Sequence, residues 1–119
     1  MALAGDKLMT HSKAHRGWFL QRLTALLLIP LTLWLVWSVA TTLPLDYQAA
    51  HNWLSQPLNS ILFGVFLLIL FHHTWLGLKE VIEDYVHNPV LKSIALFLLI
   101  IIVLALLALS LHSLFSLRL

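Results

Sequence analysis

Residues 69–89 read Ile-Leu-Phe-His-His-Thr-Trp-Leu-Gly-Leu-Lys-Glu-Val-Ile-Glu-Asp-Tyr-Val-His-Asn-Pro, and the fold turns on whether this stretch lies in oil or in water. It begins inside an apolar run and ends in a charged, turn-forming tail. His72 and His73 fall where the run should be most purely hydrocarbon-facing. Gly77 follows four residues after His73, and the pair Asp84-Tyr85 comes at the water's edge. Ionisable groups inside a membrane span are costly, and they face protein, cofactor or water rather than lipid. The remainder of the chain reads as a scaffold that sets this segment in a bilayer.

Composition supports that reading. Of 119 residues, 61% are hydrophobic and 10% charged, and the mean hydropathy is +0.92. A soluble domain carries about 25% charged residues, so this chain lacks the polar surface to cover itself. Three spans of ~20 residues with short connections use nearly all of it, which leaves no separate soluble domain. The absence of cysteine excludes a disulfide and a thiolate-held iron–sulfur cluster. The formal net charge is only +2, and no basic patch interleaved with aromatics points to nucleic acid. The expectation is an all-α integral membrane protein with three transmembrane helices in one domain, 1–119.

Outward from the central stretch, residues 1–17 are polar and basic, with Lys7, Lys13 and Arg16 beside His11 and His15, and read as a cytoplasmic tail. Span one covers about 18–40. A basic head before an apolar run is also the pattern of a signal peptide. The run through Leu43 is longer than that and carries Pro30, Trp34 and Trp37, so it reads as a retained span with a proline kink. The connection 43–57 predicts a short helix capped by Asp46, with Tyr47, Ala50 and Leu54 on one side and Trp53 beside them, lying at the interface. Span two covers about 58–80 and continues as helix into water up to Val86. Asn88-Pro89 breaks the chain, with Pro89 suited to the first position of the next helix. Span three, about 90–111, holds no ionisable group between Lys92 and His112 and reads as packing and lipid contact.

Orientation follows from Lys/Arg counting. Lys7, Lys13, Arg16 and Arg22 precede or open span one, and Lys79 and Lys92 flank the second connection. The first connection holds none, and the C-terminal end holds only Arg118. Six against one puts the N-terminus and the second connection in the cytoplasm.

Counted from the outer face, His73 lies ~22 Å along span two at ~1.5 Å per residue. In a ~30 Å hydrocarbon core that is roughly 8 Å from the cytoplasmic boundary, too deep for bulk water to satisfy both ring nitrogens. Haem iron is one partner for such a nitrogen; a hydrogen bond to a neighbouring helix is the other. Gly77, on the same face one turn later, would admit a flat macrocycle or another helix. A bis-histidine haem cannot close within the chain. Span one has no histidine, His72 points about 100° away, and His112 stands ~20 Å from the level of His73. Any such haem is shared with a second subunit or a symmetry mate. At the interface, Tyr85 can donate a hydrogen bond to a carbonyl oxygen and Asp84 can relay a proton, which quinone reduction requires. A plain interfacial tyrosine beside a solvated acid is the alternative. Arg22, at the same membrane level, can meet a haem propionate or Asp84, or snorkel to headgroups.

The run His73-Thr-Trp75-Leu-Gly77-Leu-Lys-Glu-Val81-Ile-Glu-Asp84-Tyr85 resembles the second-span signature of the hydrophobic membrane anchor (D) subunits of succinate dehydrogenase, respiratory complex II. Trp18-Phe-Leu-Gln21-Arg22-Leu-Thr24-Ala25 resembles the entry to that family's first span. The resemblance covers nearly the whole chain, and the H-x-W-x-G-x-x-x-V-x-x-D-Y spacing is specific. It implies a non-catalytic subunit that packs with a second, C-type cytochrome b anchor around a shared haem, alongside iron–sulfur and flavoprotein subunits. His73 would be an axial ligand of haem b, with Gly77 packing against the haem. Tyr85 would hydrogen-bond a ubiquinone carbonyl, Asp84 would support proton delivery, and Arg22 would stand near the quinone or the propionates. The family pattern uses only the histidine at position 73, which leaves His72 unassigned. A fumarate reductase anchor and a purely structural tether without haem are the competing functions. A small transporter using His72, His73 and Glu80 is opposed by the unpolar span three. No Arg/Ser-rich presequence precedes span one, which favours a bacterial inner membrane.

Overall fold

The structure, a computed structural model, describes residues 2–118, with side chains described over 16–118. The helices are α1 (Ala2–Thr42), α2 (Tyr47–Ser55), α3 (Pro57–Tyr85) and α4 (Pro89–Arg118), and there is no strand among the described residues. Three segments are long and apolar enough to cross a bilayer: Arg16–Thr42, Pro57–Tyr85 and Pro89–Arg118, with mean hydropathies of 2.1, 2.0 and 3.3. The all-α, three-span expectation therefore holds.

Helix α1 begins well before its apolar stretch. The segment assigned to a tail is helical from Ala2, because Ala2, Leu3, Ala4, Lys7, Leu8 and Met9 are strong helix formers and only Gly5 opposes them. The side chains of Lys7, His11, Lys13 and His15 lie outside the described residues. Pro30 sits inside α1 without ending it. It withholds only the one bond that its missing N–H would have made to the preceding turn.

The first connection forms the expected short helix. Asp46 is its N-cap, and a carboxylate oxygen accepts the Ala49 N–H at 2.7 Å, which satisfies one of the orphan donors of the first turn. Leu54 is buried at 5% exposure, whereas Tyr47 is 67% exposed, so these two do not share one buried side. At the first helical position Tyr47 instead lies over His51, centroids 6.3 Å apart. The Nδ1 of His51 is 2.6 Å from the carbonyl oxygen of Leu117, which ties α2 to the end of α4. Trp53 packs against Trp34 of α1 at 5.5 Å and against Phe63 of α3 at 6.1 Å. The Ser60 hydroxyl donates to the Leu54 carbonyl, closing the corner where Pro57 opens α3.

At the other end, α3 stops at Tyr85, with the Val86 N–H donating to Ile82 O at 2.9 Å. Pro89 opens α4. Asn88 is more than a breaker: its Oδ1 accepts from the N–H groups of Val90 and Leu91 at 2.9 and 3.3 Å and so caps the helix.

Helix α3 is the middle element, with α1 and α4 each packed on it and α2 leaning on α3 and α4. Gly64 makes room for α4, since a Cβ there would lie 3.8 Å from Leu114. Among the described residues, buried apolar side chains are confined to Leu54, Leu67, Val103 and Leu114, while Leu33, Trp37 and many like them are exposed. Apolar area on this scale marks surfaces for lipid or for other subunits. The chain alone builds no self-sufficient core.

Candidate functional site

His73 leaves the apolar stripe of α3 and turns toward α1. Its Nδ1 is 2.9 Å from the Thr24 hydroxyl oxygen. Thr24 is 7% exposed, and its Oγ1 is also 2.8 Å from the Leu20 carbonyl and 3.0 Å from the Gln21 carbonyl. A threonine inside a helix commonly bonds back to the preceding turn in this way. The bond to a neighbouring helix, one of the two sequence readings, is thus present at Nδ1. Among the described residues the other ring nitrogen, Nε2, has no hydrogen-bond partner.

Beside this pair a cavity of about 230 Å³ opens between α1 and α3, lined by Trp18, Gln21, Arg22, Ala25, His73 and Glu80. The Arg22 guanidinium lies 5.6 Å from the centroid of the Trp18 ring, a cation–π contact between residues one helical turn apart. Among the described residues no carboxylate approaches it within ion-pair distance, Asp84 included. Gln21, with its amide nitrogen turned to α3, donates to both Glu80 oxygens at 3.0 and 2.9 Å. Moving back along α1 from Thr24 to Gln21 moves forward along α3 from His73 to Glu80, so the two helices run antiparallel here. Gly77 faces the same side, where a Cβ would stand 3.6 Å from the Gln21 amide.

His73, Arg22 and Gly77 are therefore gathered at one α1–α3 seam. Asp84 and Tyr85 are not part of it: the cavity lining ends at Glu80, one helical turn short of Asp84, and Tyr85 is 78% exposed at the end of α3. His72 is exposed on another side of α3. The nearby Lys79–Glu83 pair, 3.9 Å apart with both side chains over 40% exposed, contributes little. No group of three or more His, Cys, Asp or Glu side chains gathers among the described residues. Thr24 and Gln21 entered the sequence reading only as the lead-in to span one. Their roles depend on which residues of α1 and α3 meet, and no signal within span one carries that register.

Three apolar helices, each long enough to cross a bilayer, with a polar seam at one end of two of them, define a multi-pass membrane protein. The succinate dehydrogenase/fumarate reductase transmembrane subunit family matches residues 6–116, and the chain belongs to that family. It is 31% identical over 92 residues to the succinate dehydrogenase hydrophobic membrane anchor subunit of Rickettsia conorii, covering 72% of this chain and 73% of that one. Identity is 30% over 103 residues to the succinate dehydrogenase membrane anchor subunit of Reclinomonas americana, covering 82% and 86%. It is 27% over 83 residues to the hydrophobic membrane anchor subunit of Coxiella burnetii, covering 70% and 72%. No solved structure matches the chain. Like these relatives it is a non-catalytic anchor subunit, and with its three apolar helices it is a multi-pass inner-membrane protein.

Proposed function

We propose that this chain anchors a succinate:quinone oxidoreductase, supplies His73 as one axial ligand of a haem b shared with a second anchor subunit, and supplies part of a ubiquinone site. One observation carries the ligand role. His73 lies within the apolar helix Pro57–Tyr85 with Nδ1 bonded and, among the described residues, Nε2 without a partner, beside a polar cavity that also presents the Arg22 guanidinium. Haem iron takes an imidazole nitrogen, and a guanidinium suits a propionate carboxylate, so the donor set fits one half of a haem site. When bound, the haem would carry one electron at a time. Everything else falls to the protein: His73 holds the ring in place, Arg22 balances negative charge, and Gly77 leaves the seam narrow enough for close approach.

The quinone role belongs to the end of α3. A phenol at the interface donates its O–H to a quinone carbonyl oxygen, and Asp84 passes on a proton taken from the water side. Two electrons from the iron–sulfur subunit and two protons turn the quinone into a quinol. The tether reading keeps a specific observation in its favour, because a histidine bonded to Thr24 is also what plain packing would produce. The names of the relatives, all succinate dehydrogenase, favour succinate oxidation over fumarate reduction as the working direction.

Affinity-tagged chain extracted in mild detergent should bring out a flavoprotein, an iron–sulfur protein and a second small membrane protein together. A chain that elutes alone or with unrelated proteins would remove the assignment. Gly77→Ala tests the packing role separately. The added methyl meets Gln21 only at ordinary contact distance, so the subunit should assemble. Haem content should fall severalfold, because even one methyl is felt at a close-packed site. Full haem content in the assembled variant would take Gly77 out of the haem site.

A further inference from the structure

We propose that Thr24 is a positioning residue that selects the tautomer and ring orientation of His73, so that Nε2 is the nitrogen offered to iron; this rests on the haem-ligand reading above. The Thr24 hydroxyl has one hydrogen and three neighbours within bonding distance: Leu20 O at 2.8 Å, Gln21 O at 3.0 Å and His73 Nδ1 at 2.9 Å. The two carbonyls can only accept. If the hydroxyl hydrogen goes to one carbonyl, the contact to His73 is completed by Nδ1–H donating to Oγ1, and only one of the two carbonyl contacts is left without a hydrogen. If the hydroxyl instead donates to Nδ1, both carbonyl oxygens face a bare oxygen at 2.8 and 3.0 Å. Nε2 would then carry a hydrogen for which the described residues offer no acceptor.

The first arrangement is therefore the one the geometry selects. It leaves the Nε2 lone pair uncommitted and the ring fixed, since a flip would set a carbon against Oγ1. Thr24 is almost wholly buried, so water cannot replace it. Histidines that hold metals nearly always donate their other ring N–H to a fixed acceptor, and removing that acceptor typically costs about 10–100-fold in metal affinity or activity. In this chain α1 supplies the acceptor and α3 the ligand, so the packing of two spans sets the state of the imidazole.

The experiment uses the complete membrane complex carrying Thr24→Val, which keeps the shape and loses the hydroxyl, and Thr24→Ser, which restores the hydroxyl. Readouts are haem per flavin, the g-values of the oxidised haem and its midpoint potential. Thr24→Val should lose haem on purification, by about 10–100-fold in affinity, or keep it with shifted g-values and a raised potential. The potential rises because an imidazole without an acceptor at Nδ1–H donates less to ferric iron. Thr24→Ser should return all three toward wild type. If valine impairs assembly, Thr24→Ala, smaller and a better helix former, takes its place with the same readouts. Wild-type occupancy, g-values and potential in a variant without the hydroxyl would overturn the proposal. His73→Ala separates the two failures. Haem lost there but unaltered in Thr24→Val sinks the positioning role alone, while haem kept in His73→Ala sinks the ligand reading beneath it.

Discussion

Purified complex carrying His73→Ala is expected to show no bis-histidine haem spectrum, while its flavoprotein still oxidises succinate with an artificial dye. The expectation is a complete loss because no other described histidine stands at the α1–α3 seam. His72 is exposed and about 100° further round α3 by helical geometry. His112 is on α4, beyond the level of the seam by ~20 Å. His51 is held by the Leu117 carbonyl at the far end of the bundle. Were His73 a haem ligand, its loss would change the coordination of the iron, which visible absorption and electron paramagnetic resonance would report directly. His72→Ala serves as the control and should leave the spectrum intact. An unaltered bis-histidine signature in His73→Ala would reduce the chain to a tether whose histidine does nothing beyond pairing with Thr24.

Tyr85→Phe should slow succinate–quinone turnover on the order of tenfold to a hundredfold, the range spanned by loss of an ordinary hydrogen bond and loss of a donor aimed at developing charge. Dye-linked succinate oxidation should be unchanged, since electrons still reach the iron–sulfur subunit. Phenylalanine preserves the ring and therefore its contacts, so the difference isolates the O–H. At 78% exposure on the lone chain, the phenol has no hydrogen bond to lose among the described residues, which makes a folding explanation of any defect weak. Equal quinone turnover in the variant would leave Tyr85 as an interfacial anchor. Measuring both electron acceptors on the same membranes is what gives the comparison its meaning.

Much of the architecture was legible because hydropathy dominates it. With 61% hydrophobic residues, the three spans announce themselves, and local chemistry marks some of their ends: Asp46 before a short helix and Pro89 at a first helical position. Where apolar periodicity gives out, the reading weakened. The basic stretch before Arg16 carries helix formers whose propensity decides its backbone, although its polarity suggested a tail. Tyr47 is turned outward over His51, because the first turn of so short a helix has little to pack upon. The seam was the least legible part. The place of His73 within span two marks it as a side chain in need of a partner, but that Thr24 rather than any other residue of α1 meets it depends on the stagger of two antiparallel helices. The same holds for Gln21 and Glu80, which gain their bond only once α1 and α3 are laid side by side. Asn88-Pro89 marks a break by sequence, and the capping of the following helix by the Asn88 side chain becomes visible only in three dimensions.

Helix α3 runs from Pro57 to Tyr85 without interruption, ~43 Å at ~1.5 Å per residue, longer than a ~30 Å hydrocarbon layer is thick. The imidazole of residue 73 and the phenol of residue 85 thus stand on one rigid rod, with no hinge between them. Their separation and relative azimuth are dictated by helical pitch, so single substitutions along the way can alter either group's surroundings without changing how the two are phased. An inserted or deleted residue, by contrast, would swing one of them about a third of a turn relative to the other, which makes this dozen-residue interval intolerant of length change at every position along it.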